Sequence, residues 1–127
     1  MKDFLIIVVS AIILIILDFI FISFIMNGYK QMVSNVQNSE MNINYFGAIF
    51  CYILLIFSLY YFILKDKKSV LDAFLLGIVI YGILESTNYS IFKKWDAKIA
   101  IMDTLWGGIL FASTTYFVYY LANIFKF

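Results

Sequence analysis

Three acids stand inside apolar sequence: Asp18 in the stretch 4–26, Glu85 in 70–92 and Asp103 in 99–125. Carboxyl groups withdrawn from water can carry a proton, hold a hard cation through oxygen, or act as general acid and base. Glu85 shares a helical stripe with Tyr81 and Asn88, at spacings of four and three. Asp103 shares a second stripe with Trp106 and Gly107. Tyr52 adds a phenol from the remaining apolar stretch, 44–64. The candidate pocket is therefore Asp18, Tyr52, Tyr81, Glu85, Asn88, Asp103 and Trp106. The chain has no His and one Cys, which excludes His/Cys zinc sites, Ser-His-Asp triads and Cys-His dyads. No metal site and no cofactor is expected, and no catalytic residue is assigned.

The elements that carry these residues follow from composition. Hydrophobic residues make up 65% of the 127, charged residues 13%, and the mean hydropathy is +0.97. A soluble fold of this size cannot hide so much apolar surface, which excludes a soluble enzyme, a disordered chain and a disulfide scaffold. Net charge is +1, with no basic stripe for nucleic acid. Each of the four apolar stretches reaches the roughly 20 residues that a helix needs to cross a bilayer. Spanning segments satisfy their own backbone hydrogen bonds, so all are read as helices. Period-two alternation is absent, and four strands cannot close a barrel. With no Pro in the sequence, no helix loses a backbone donor. The expected fold is all-α: one transmembrane domain, 1–127, forming a four-helix bundle.

The joints are also legible. Lys2 and the run from Phe4 to Leu17 resemble a signal peptide, but the run continues to Met26 without a small-x-small cleavage site, so a retained first span is expected. Asn27-Gly28 is expected to end the first helix, since both residues tolerate a left-handed cap. In the following loop Tyr29, Met32, Val33 and Val36 share one helical face, which suits either a short amphipathic helix on the membrane surface or a polar connector. Lys65–Lys68 and Lys93–Lys98 are polar hairpins. Tyr60, Tyr61, Tyr116, Tyr119 and Tyr120 mark the membrane face of the termini, while Tyr29, Tyr45, Tyr89 and Trp95 mark the face of the first and third loops. Five lysines on the first face against four on the second favour cytoplasmic termini by a single residue. Cys51 reads as a packing residue, and Ser113, Thr114 and Thr115 as bonded to their own helix carbonyls.

Depth is what unites the polar residues. At about 1.5 Å per residue, Asp18 and Tyr52 lie roughly 12 Å below the odd-loop face, Glu85 and Trp106 about 10 Å, and Asn88 and Asp103 about 6 Å. Three acids, an amide, a phenol and an indole from four helices thus occupy one slab. A charged Asp at a helix centre costs about 2.5–3.5 kcal/mol, and three bare carboxylates would also repel one another. At least one therefore carries a proton, or a cation sits among them. No Lys lies within the spans, although Lys93, Lys94 and Lys98 stand at the mouth. Interhelical glue is the plainer role for such residues, at about 0.6 kcal/mol each. Asp103, one turn into its helix, also suits the positive end of the dipole.

The segment Tyr81-Gly82-Ile83-Leu84-Glu85-Ser86-Thr87-Asn88, then Trp95, then Asp103-Thr104-Leu105-Trp106-Gly107, resembles a known pattern. A family of small four-span membrane proteins, domain-of-unknown-function family 2177, carries Tyr-x-x-Tyr-Asp-x-Thr-Asn, a Trp, and Asp-x-x-Trp-Gly. The resemblance extends over essentially the whole chain, and Asp18, Tyr29-Lys30 and Tyr52 also look like family positions. Leu84 stands where the family has a second Tyr, and Glu85 where it has Asp, so the carboxylate is one methylene longer. The family occurs in bacteria and in large DNA viruses, which implies a bacterial inner membrane or a viral or host membrane. The resemblance implies the architecture and the residue set but no chemistry.

The expected function is a multi-pass membrane protein whose carboxylate/amide pocket binds a proton, a small cation or a polar headgroup. One alternative is a lipid-modifying enzyme using Glu85 or Asp18 as acid or base, with Tyr52 or Asn88 orienting the substrate. Another is a structural protein of a cell or virion membrane with no site. Membrane lipids are the expected partners, with no nucleic acid; a channel or transporter this small would need a homo-oligomer. Topology is directly testable. Cysteines introduced at Lys67 and Lys94 are expected to react with an impermeant reagent from opposite faces of the membrane. Reaction of both from one face would contradict four spans.

Overall fold

In the computed structural model, which describes residues 2–127, the chain forms four helices. They are α1 (Lys2–Gln37), α2 (Tyr45–Leu59), α3 (Val70–Ile91) and α4 (Ala97–Phe125), with a π-helical turn at Tyr60–Leu64 prolonging α2. All four are long and apolar enough to cross a membrane. Three begin at side-chain caps, which satisfy backbone donors that the first turn leaves free. Asn44 accepts from the Gly47 N–H at 3.2 Å, Ser69 from Asp72 at 3.0 Å, and Asp96 from Lys98 at 2.8 Å. The two tight connections, 65–69 and 92–96, make α2, α3 and α4 run alternately up and down.

The first helix does not end at Asn27-Gly28. It continues unbroken to Gln37, and the left-handed residue that follows is Asn38, at φ 58°. The amphipathic segment is thus the distal part of α1 rather than a separate surface helix. Packing explains the difference. Gly28 lies under Ile99, and Met32, Trp95 and Ala100 form a small core joined by Tyr29 and Val36. These contacts hold helical geometry through two residues of low helix propensity. At 36 residues α1 is about 54 Å long, against a hydrocarbon core of about 30 Å. Its distal turns therefore stand over the hairpin between α3 and α4.

The main core comprises Leu14, Leu55, Leu59, Leu110, Phe111 and Val118, with Ile63, Leu64 and Ala73 closing its far end. Outside it the surface is apolar. Phe24, Phe46, Leu71, Ile83, Ile101 and Phe125 all point outward, as suits a surface solvated by lipid chains. α3 and α4 share the most extensive contact, α1 packs on α4, and α2 leans on α1. The α3–α4 contact depends on small residues. A Cβ at Gly77 would run into the carbonyl of Gly107, and Gly107 itself lies beneath the Tyr81 ring. Lipid gives helices no hydrophobic reason to associate, so close backbone approach is a main source of affinity between them. Not every hydroxyl on α4 finds the expected helix carbonyl: Thr104 bonds the Ala100 carbonyl, whereas the buried Thr114 and Thr115 hydroxyls have no partner.

The glycine contact generates a stability test. Gly77→Ala forces a methyl group against backbone that cannot yield, and is expected to cost about 1–3 kcal/mol. Gly47→Ala, where nothing lies within 4 Å, is expected to be neutral or slightly stabilising. Thermal midpoints in detergent micelles separate the two. An unchanged midpoint for Gly77→Ala would contradict the close contact.

Candidate functional site

Two carboxyl centres lie side by side near the odd-loop end of the bundle. α2, α3 and α4 each bring their residue about 9–11 Å below that end: Tyr52 from Tyr45, Glu85 from Ile91, and Asp103 from Ala97. The first centre is Asp18 of α1, which is buried. The Tyr52 hydroxyl donates to its Oδ2 at 2.5 Å, and the Trp106 indole N–H donates to its Oδ1 at 2.9 Å. Each oxygen thus accepts from a different helix, the arrangement that suits an ionised carboxylate, which can only accept. Phe21 stacks on Trp106 with ring centroids 4.4 Å apart and fixes its plane.

The second centre is Glu85, only 1% exposed. The Trp95 indole donates to its Oε1 at 2.8 Å. Its Oε2 is buried and has no N–H or O–H donor. Asp103 of α4 is the acid that interacts with Glu85. Two neighbouring carboxyl groups can bond one another only when a proton sits on one of them. Tyr29 flanks the pair, and its ring meets Trp95 edge-on at 5.9 Å.

The structure brings together six of the seven residues singled out from sequence. Asp18, Tyr52 and Trp106 make one hydrogen-bonded set; Glu85, bonded to Trp95, stands with Asp103 in the second centre. Tyr81 packs against Gly107 and shares a cavity wall with Asp18 and Asp103. Asn88 stays apart: it is half-buried, and its side chain makes no hydrogen bond among the described residues. It lies one turn nearer the helix end than Glu85, where the Trp95 indole takes the role of donor. Lys93, Lys94 and Lys98 are exposed and do not reach inward.

Trp95 and Tyr29, named in the family resemblance, were expected in the aromatic belt rather than in the pocket. Both suited an interfacial belt, since an aromatic ring with a polar handle in a polar loop is the usual belt residue. Instead Trp95 folds under α1, buried against Met32 and Ala100, and covers the carboxyl pair. The available signal was the face formed by Tyr29, Met32 and Val36, which points to a partner on the same end of the bundle. Cys51, expected to pack inside, is exposed on α2.

A cavity of about 300 Å³ adjoins both centres between α1 and α2. Its polar groups are Asp18, Asp103, Tyr29, Tyr52 and Tyr81, and aliphatic side chains such as Ile22 and Ile25 form much of the remainder. A second groove of about 410 Å³ runs between α3 and α4, with Glu85, Ser86, Tyr89 and Thr104 along it.

Comparison with known proteins agrees with this architecture. No curated protein and no solved structure compared with the chain gives a match. A family model described as "Predicted membrane protein (DUF2177)" matches residues 4–120 and so takes in all four helices. The chain belongs to that family of membrane proteins.

Proposed function

We propose that this multi-pass membrane protein is an intramembrane proton-binding protein, with one exchangeable proton held between Glu85 and Asp103. The observation that carries this reading is the buried Glu85 Oε2, which lacks a partner in the protein, with Asp103 as the acid that interacts with Glu85. A bare carboxylate oxygen in that position would lose its hydration and gain nothing in return. A proton on either acid supplies the missing donor and removes the repulsion between them.

The neighbouring carboxylate supports a proton over a small cation. Three of the six carboxyl oxygens already accept from Tyr52, Trp106 and Trp95, and the described residues contain no group of three acids placed to hold a metal ion, whereas a hard cation takes six or so oxygen ligands. Exchange of the proton is favoured by the cavity, which reaches Asp103 from the α1–α2 side. Trp95 meanwhile seals Glu85 from the odd-loop end.

Infrared spectroscopy tests this reading. The wild-type protein in bilayers is expected to show a protonated-carboxyl band at neutral pH that shifts on exchange into heavy water and disappears in Glu85→Gln. Glu85→Gln keeps a donor and an acceptor and is expected to fold nearly normally. Glu85→Ala leaves Trp95 and Asp103 unpaired and is expected to cost about 1–3 kcal/mol. A wild-type spectrum without the band would overturn the shared proton.

A further inference from the structure

The cavity between α1 and α2 has a chemistry that selects its occupant. Its inner end presents the Asp18 and Asp103 carboxyl groups and the Tyr29, Tyr52 and Tyr81 rings; its walls are aliphatic. Even with one proton shared between Glu85 and Asp103, that pair keeps one negative charge, and Asp18 adds a further carboxyl group to the same cavity. Lys30 on the distal part of α1, Lys98 in the first turn of α4, and Lys93 and Lys94 in the hairpin are all exposed, so no buried lysine stands beside these carboxyl groups. Uncompensated charge at such depth is expensive. A phosphate-bearing head would add to it, whereas an ammonium would cancel part of it and donate hydrogen bonds to the free carboxylate lone pairs.

The opening points the same way. Cys51 lines the cavity and is exposed. Its neighbours Phe46, Ile49 and Phe50 face outward from α2, on a surface that meets lipid. At about 300 Å³ the space lies at the small end of ligand pockets. It suits a head and the first methylenes of a chain, with the remainder leaving past Cys51 into the bilayer.

We infer that the α1–α2 cavity binds a membrane amphiphile with a primary ammonium head and no phosphate, entering from the bilayer, its head against Asp18 and Asp103. The inference rests on the carboxyl site proposed above and names the class of ligand that site takes. Tyrosine faces near the head add cation–π attraction, which strengthens where water is excluded.

Photolabelling tests it. The full-length protein in phosphatidylcholine nanodiscs is exposed to hexadecylamine carrying a diazirine near the head, and to the matched alcohol and alkyl phosphate. The amine is expected to give saturable adducts on the cavity-lining turns of α1 and α2, displaced by unlabelled hexadecylamine. Asp103→Asn is expected to raise the half-saturating concentration by about tenfold or more. Ala48→Trp, which fills the cavity without altering a carboxyl group, is expected to abolish the adducts. Equal labelling by the alcohol or the phosphate, or amine adducts spread without saturation over the outer surface, would overturn the inference. So would adducts confined to the α3–α4 groove. The infrared band of the amine-free protein is read separately. If it is present while cavity labelling fails, the ammonium ligand is wrong and the shared proton stands; if it is absent while labelling saturates, the reverse holds.

Discussion

A carboxyl group inside a bilayer has no water to bond, so the protein itself must supply every donor, and this constraint ties the four helices together. Asp18 alone joins three of them: it belongs to α1 and accepts from Tyr52 of α2 and Trp106 of α4. Glu85 brings in the fourth, linking α3 to the Trp95 hairpin, and the proposed proton would tie it through Asp103 to α4. Hydrogen bonds to charged groups contribute about 1.5–3 kcal/mol each, but burying the charges costs a comparable amount. The network is therefore better understood as fixing which faces meet than as a large source of net stability. The shape of the bundle agrees, since α2, which leans on its neighbour with modest contact, is oriented toward the site by Tyr52.

The α3–α4 hairpin is the platform on which this network is built. Gly77, Gly107 and Gly108 let the two backbones approach until side chains from one helix lie directly on the other. Glu85 lies two turns from Gly77 and Asp103 one turn from Gly107, so the contact that brings the glycines together also turns the two acids toward one another. The distal turns of α1 complete the enclosure by burying Trp95 with Met32 and Ala100. The same hairpin thus supplies both the pair of acids and the indole that covers one of them. Its α1-facing side remains open at the cavity, which is where exchange with the bilayer is proposed.

Most of the fold was readable because the bilayer imposes strong rules. Length and hydropathy located four spans, and helical geometry then placed Asp18, Tyr52, Glu85 and Trp106 at one depth. What escaped was governed by tertiary contact. Asn27-Gly28 carries a local stop signal, but the packing of Gly28 and Met32 on the next hairpin outweighs it. Trp95 has the composition and position of a belt residue; only the face that α1 projects past the membrane turns it inward. Asn88 was grouped with Glu85 because the spacing of three shares a stripe, yet its place nearly one turn closer to the helix end and a competing indole leave it outside the network. Periodicity reports which side of a helix a residue occupies, whereas the choice of donor depends on which neighbour arrives first.

The family assignment identifies a membrane protein and leaves its chemistry to the site itself. The proton proposed between Glu85 and Asp103 is the feature on which that chemistry turns. Solid-state NMR of the protein in bilayers, with these two side-chain carboxyl carbons labelled, addresses it most directly. A shared proton gives a single strongly downfield hydroxyl signal correlated with both carbons. Two unprotonated carboxylates, or a lysine ammonium lying between them, would contradict it.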